Sequence, residues 1–125
     1  MKRLIIFVIL FLVTSLNAQK NQSNFKQLAT DHMKAGRYGE AIELLNKYIT
    51  ANPRKADGYN LRGLCFEKRN QFEFALLDFR RASKLEPNNK EIQTNLQRII
   101  NTWYPLLKKK IIGYQREIAI DANKA

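Results

Sequence analysis

Apolar positions recur along this chain at the three-and-four step of a helix, not the two-residue alternation of a strand. In the stretch 70–91, "NQFEFALLDFRRASKLEPNNKE", Phe72, Ala75, Leu76 and Phe79 fall on one helical side, with charges between them. Just upstream, Tyr59, Gly63, Cys65 and Phe66 share one side of an earlier helix. Arg69–Asn70 separates the two as a turn, because Asn tolerates the left-handed conformation that ends a helix. Pro87 stops the second helix, lacking an N–H and disfavouring helix in the residue before it.

The pattern repeats. Residues 36–57, "GRYGEAIELLNKYITANPRKAD", align with 70–91 without gaps at an offset of 34. Tyr38 meets Phe72, Ala41 meets Ala75, Ile42 meets Leu76, and Leu45 meets Phe79. Lys47 meets Arg81, Pro53 meets Pro87, and Asp57 meets Glu91. Gly36 takes the turn position of Asn70, with less strain still. Each unit therefore reads as a helical hairpin. Hairpin helices pack closely only where side chains are short, so Gly63 is expected against Ala75 and Ala29 against Ala41. Residues 90–125 read as a weaker third unit. Leu96 and Ile100 keep the pattern, but Gln93 and Gln97 replace an aromatic and a glycine. Pro105 is expected in the first turn of a new helix, along which Leu107, Ile111, Tyr114 and Ile118 form an apolar stripe. The closing "IDANKA" resembles "LEPNNK", the segment that leads one unit into the next.

These residues resemble the tetratricopeptide repeat (TPR) family. From residue 56 the second unit carries Tyr59, Gly63, Phe66, Ala75, Phe79, Ala82 and Pro87 at the family's places, and departs at Arg62, where Leu is usual. From residue 22 the first unit carries Phe25, Leu28, Ala29, His32, Ala41, Leu45, Tyr48 and Pro53. The resemblance covers about 22–91 well. It implies an all-α fold: a right-handed superhelical solenoid of about three hairpin units, 22–55, 56–89 and a degenerate 90–125. A solenoid ordinarily closes with a polar capping helix, and none follows Ile118. The expectation is either that the chain is the N-terminal part of a longer repeat protein or that its end is covered by a partner or by a second copy.

The first residues follow another rule. Lys2 and Arg3 precede ten apolar residues, Leu4 to Val13, and a polar stretch reaching Ala18. That is the layout of a secretory signal peptide, 1–18, cut after Ala18; the other reading is an uncleaved anchor. The apolar run is short for a membrane span, which takes ~20 residues. No Cys follows it to carry a lipid. Export to the periplasm or outer membrane of a bacterium is the expectation.

Charge narrows the partners. Lys and Arg number 22 against 11 acids among 125 residues, a formal net charge of +11. Such a balance draws anionic surfaces, and nucleic acid is a poor partner for an exported chain. The only Cys, Cys65, forms no internal bridge; it is either a buried apolar residue or a link to another chain. The only His, His32, lies at a buried family position, without partners for a metal or general-base role. No phosphate loop or catalytic cluster is present, so neither an enzyme nor a cofactor or metal site is expected.

In the family, the first helices of successive units line a groove that binds peptides. The resemblance places Lys26, Thr30 and Met33, then Asn60, Leu64 and Glu67, then Thr94, Arg98 and Asn101 along it. One subtype clamps a C-terminal carboxylate with a Lys, two Asn and two further basic residues. Those places hold Lys26, Thr30, Leu61, Glu91 and Asn95, of which only Lys26 fits, and Glu91 would repel a carboxylate. The second helices form the outer side. Lys47, Arg80, Arg81, Lys108, Lys109, Lys110 and Arg116 would make it basic. The expected function is a non-catalytic scaffold binding another protein. The alternatives are docking on anionic lipid or cell-wall polymer through Lys108, Lys109, Lys110 and Arg116, or an accessory module of a larger envelope assembly.

Overall fold

The computed structural model describes residues 1–124, and their side chains except those of 18–23 and 123. Five helices follow one another: α1 (Lys2–Lys34), α2 (Tyr38–Ala51), α3 (Ala56–Lys68), α4 (Phe72–Leu85) and α5 (Lys90–Lys124). The described residues contain no strand, as the spacing predicts. Helices α1 and α2 form one hairpin, α3 and α4 a second, and α5 packs against the second.

Both hairpin turns are made alike, 34 residues apart. Gly36 and Asn70 have positive φ, 73° and 58°. Beyond them the N–H of Arg37 donates to His32 O and that of Gln71 to Phe66 O, each at 2.9 Å. This six-to-one bond marks a left-handed helix stop and satisfies carbonyls that the helix leaves open. Between the hairpins, α2 and α4 end just before Pro53 and Pro87. The Tyr59 hydroxyl then donates to Pro53 O at 3.0 Å, tying the linker to α3.

The core is a chain of three clusters. Ala29, Ala41, Leu45 and Cys65 join the first hairpin to α3. Ile49, Ala56, Tyr59, Ala82 and Ile92 join the hairpins to each other and to α5. Ala75, Leu76, Phe79 and Ile99 seat α5 on the second hairpin. Ala29 and Ala41 are both fully buried in one cluster, as their size predicts. At Gly63 the atoms nearest to where a side chain would stand belong to Phe79. A Cβ on Gly63 would lie 2.7 Å from the Phe79 ring, so the missing side chain makes room for that buried aromatic. Cys65 is fully buried, and burial pushes its thiol up to about 11. Buried there, Cys65 fits the reading of a small apolar core residue rather than that of a link to another chain.

The third unit departs from expectation. There is no break before Pro105 and, among the described residues, no closing loop over 120–124; α5 is one helix of 35 residues with Pro105 inside it, and residue 125 lies outside the described residues. The reason is at the turn position. One period beyond Gly36 and Asn70 stands Tyr104, a bulky residue for which the left-handed conformation is costly. The helix runs on, and Pro105 merely supplies no N–H to the Asn101 carbonyl. Ile92, Asn95 and Ile99 are buried, but nearly every residue beyond Trp103 is exposed. Helix α5 thus fills the place of a third unit's first helix and runs on through the turn position.

At the other end, the side chains of Leu4 to Val13 in α1 are all exposed. Among the described residues no helix is long and apolar enough to cross a membrane.

Candidate peptide-binding groove

Helices α1, α3 and α5 form one row of the fold, joined by polar side chains. Lys26 Nζ lies 2.8 Å from Asp57 Oδ2, and the two are 31 residues apart. One period on, Lys26 becomes Asn60 and Asp57 becomes Glu91. Asn60 Nδ2 donates to Glu91 Oε1 at 2.9 Å, again across 31 residues. A second rung joins α3 to α5: Arg98 Nε and Nη2 donate to Glu67 Oε1 and Oε2 at 3.0 and 2.7 Å. The equivalent places one period earlier are Met33 and Leu64, both apolar.

The two rungs on α5 are connected. Asn95 Nδ2 donates to Asn60 Oδ1 at 2.9 Å, and Arg98 Nη1 donates to Asn95 Oδ1 at 2.9 Å. Glu91, Asn60, Asn95, Arg98 and Glu67 therefore form one hydrogen-bonded series. Asn60 and Asn95 are 6% and 5% exposed, and a buried amide is tolerated only when so paired. The hydrogen bond to Glu67 also raises the Arg98 guanidinium above its ordinary range.

On the α1 side, Asp57 takes a second partner. The Tyr48 hydroxyl from α2 donates to both its carboxylate oxygens, at 3.1 and 3.2 Å. Burial, then the Asp57 charge and hydrogen bond, push Tyr48 up to about 12. Asp57 is thus fixed between a cation and a phenol.

Of the residues expected in the groove, the structure joins Lys26, Asn60, Glu67 and Arg98 in this ladder. Thr30 and Thr94 instead bond carbonyls of their own helices, Lys26 O and Lys90 O. Asn101 is exposed and accepts from Gln97. Met33 and Leu64 are half-buried and pack on the apolar clusters. Sequence reasoning missed the structural parts of Asp57, Tyr48 and Asn95. The recurrence of an acid at 57 and 91, with Lys26 and Asn60 also one period apart, was the available signal for the first rung. His32 is half-buried rather than buried, and its Nδ1 accepts from Arg37 Nε at 3.0 Å beside the Gly36 turn.

The carboxylate clamp is filled from within. Lys26 is held by Asp57, Glu91 is held by Asn60, and Asn95 is spent on Asn60 and Arg98. The basic run is also placed differently from expectation. Lys108, Lys109, Lys110 and Arg116 lie on the unpacked half of α5, not on the outer row of α2 and α4, because α5 continues through Tyr104 without turning back. Lys108, Lys109 and Arg116 border a shallow recess with Pro105, Ile112 and Gly113. Lys110 lies over the Tyr114 ring.

Residues 56–89 match the family described as tetratricopeptide repeat. The chain is 32% identical to the human peptidyl-prolyl cis-trans isomerase FKBP4 over 115 residues, 86% of this chain and 25% of that protein. It is 36% identical to a UDP-N-acetylglucosamine–peptide N-acetylglucosaminyltransferase of Giardia intestinalis over 85 residues, 68% of this chain and 5% of that one. The chain thus spans a quarter or less of these relatives. Among solved structures, the fold is similar to the second TPR of Spaghetti (RPAP3) bound to the HSP90 peptide SRMEEVD. The TM-score is 0.65 at 23% identity, covering 75% of this chain and 90% of that one. It is also similar to MamA, with a TM-score of 0.63 at 20% identity over 66% and 48% of the two chains.

Proposed function

The chain is a tetratricopeptide-repeat protein, and on that premise we propose that it is a non-catalytic scaffold that binds a segment of another protein along α1, α3 and α5. The observation that carries this reading is the ladder from Glu91 to Glu67, which presets the inner row before any ligand arrives. Neighbours of the same fold hold HSP90 peptides. The filled clamp here favours an internal segment over a C-terminal carboxylate. Thr94 and Asn101, exposed on α5 beside Arg98, are the side chains open to it. Where the chain matches enzymes, it spans at most a quarter of their length, so their chemistry is not carried over.

The test is photo-crosslinking in the native host from a benzophenone side chain at position 94 or 101. A discrete protein adduct is expected at both, and loss of the adduct on Arg98→Glu. Adducts from outer positions such as 80 alone would overturn the reading.

We place this scaffold in a bacterial envelope, after export. The support is the basic start and the exposed run Leu4 to Val13, which the hairpins leave unpacked. Fractionation of a C-terminally tagged chain tests it, and a cytoplasmic product of full mass would refute it.

A second reading rests on α5. Tyr104, Ile111, Tyr114 and Ile118 are exposed along one helix that also carries Lys108, Lys109 and Lys110. An amphipathic basic helix lies well on anionic lipid. Sedimentation with phosphatidylglycerol vesicles should then fall with salt and vanish when all three lysines become Glu.

A further inference from the structure

The place where the second unit departs from its family pattern is Arg62, and its surroundings define a second site on the opposite face. Arg62 Nε and Nη2 donate to the two oxygens of Asp78, each at 2.7 Å, and Nη1 donates to Asn46 Oδ1 at 2.7 Å. The hydrogen bond to Asp78 raises the guanidinium further above its ordinary range. One side chain of α3 therefore braces α2 and α4 apart as it joins them. Beside this brace lies an open cleft of about 870 Å³, bordered by Phe66, Phe74, Leu77, Arg80, Arg81 and Lys84.

The border is divided. At one end Phe74 and Leu77 are 53% and 56% exposed. Phe74 is set against Phe66, with ring centroids 5.3 Å apart, so the apolar end has a preformed aromatic wall. At the other end stand Arg80, Arg81 and Lys84. Among the described residues no carboxylate lies within ion-pair distance of these three. The guanidinium of Arg81 is steadied over the Tyr59 ring at 5.2 Å. From position 74 to 84 the helix rises about 15 Å. That length suits roughly three turns of a bound helix.

We infer that this cleft binds an acidic amphipathic segment of a partner protein, its apolar side chains on Phe74 and Leu77 and its carboxylates on Arg80, Arg81 and Lys84. Charge complementarity selects the occupant. Unpaired cations at one end attract acids, and their like charges repel a basic helix. The apolar end distinguishes the segment from a merely acidic polymer. A recess between two helices admits a side-chain-bearing peptide better than the plane of a membrane. The site is separate from the inner row, so its failure leaves the proposed groove untouched.

Fluorescence anisotropy on the full chain provides the test. The probe is a labelled 16-residue helical peptide with Leu and Phe three residues apart, followed by three Glu on the same face. Binding is expected, with at least a tenfold loss when the Glu become Gln or the Leu and Phe become Ser. The same loss is expected in Leu77→Asp and in Lys84→Glu, both exposed positions whose circular dichroism should be unchanged. A peptide with Lys in place of Glu should bind Arg81→Glu/Lys84→Glu better than it binds the native chain. Arg98→Glu should leave the native binding intact. No binding, equal binding of the Gln peptide, or affinity unmoved by Leu77→Asp would overturn the proposal. So would displacement of the probe by phosphatidylglycerol vesicles, which would reassign the cleft to membrane.

Discussion

Asn60 stands to Glu91 as Lys26 stands to Asp57: one repeat on, a neutral amide takes over a contact that an ammonium makes in the first unit. The partner keeps its place and its charge. What changes is burial. Lys26 and Asp57 side chains are each more than two-fifths exposed, whereas Asn60 is buried and shares a second bond with Asn95.

The two contacts should therefore differ in weight. Asn60→Leu takes the donor from Glu91 and the acceptor from the buried Asn95 amide N–H, and is expected to cost about 1–3 kcal/mol. Lys26→Met should cost under about 1 kcal/mol, as exposed pairs do. Urea titration of both variants checks the order, and equal losses would contradict it.

Gly63→Ala should also destabilise. The added methyl meets the Phe79 ring at 2.7 Å, and overpacking of this kind costs about 1–3 kcal/mol. Thermal unfolding measures it. A partial rescue by Phe79→Leu in the same chain would identify the ring as the cause.

Asp78→Ala and Arg62→Leu are both predicted to destabilise the chain. Asp78 is buried, with its side chain 7% exposed. Removing it strands a guanidinium that bridges three helices, and Arg62→Leu in turn leaves the buried Asp78 carboxylate without its only partner among the described residues. Losing one partner of a buried pair costs about 3–5 kcal/mol, and replacing a pair by apolar residues far less. The variant Arg62→Leu/Asp78→Leu, compared with each single change by denaturant titration, should be more stable than Asp78→Ala.

Alkali should unfold the chain in a defined window. Tyr48 holds its proton to about 12 in the fold, against an ordinary 10.0. Between those values the unfolded chain releases a proton that the folded chain keeps. The share of stability that Tyr48 supplies is whole below pH 10 and is lost as pH rises toward 12. Cys65 acts in the same sense between 9.0 and about 11. Tyr48→Phe with Cys65→Ala should flatten the fall in unfolding midpoint between pH 9 and 12. An unchanged slope would show that neither group carries it.

Much of the fold was legible because its rules are local. Gly36 and Asn70 mark turns by backbone geometry alone, and Pro53 and Pro87 mark stops. The small residues Ala29 and Ala41 announce close packing. The third unit was misread where a local stop signal, Pro105, was set above the absence of a residue able to turn left-handed at Tyr104. The inner row was half legible. The candidate positions lie on α1, α3 and α5, but sequence spacing does not reveal which polar groups spend themselves on one another. Nor did it place Lys108 to Lys110, since their side of the molecule depends on whether the helix turns back at Tyr104.

The series from Glu91 to Glu67 has a thermodynamic consequence. Its members have already traded water for one another, so a polar ligand entering the inner row gains a bond only by opening one. Under the proposed binding, recognition there would be an exchange, near neutral in free energy for each polar swap, and the net gain would come from apolar surface newly covered. A series of this kind would act as a filter, selecting ligands by the pattern of bonds they can replace while leaving the total affinity modest and readily reversed.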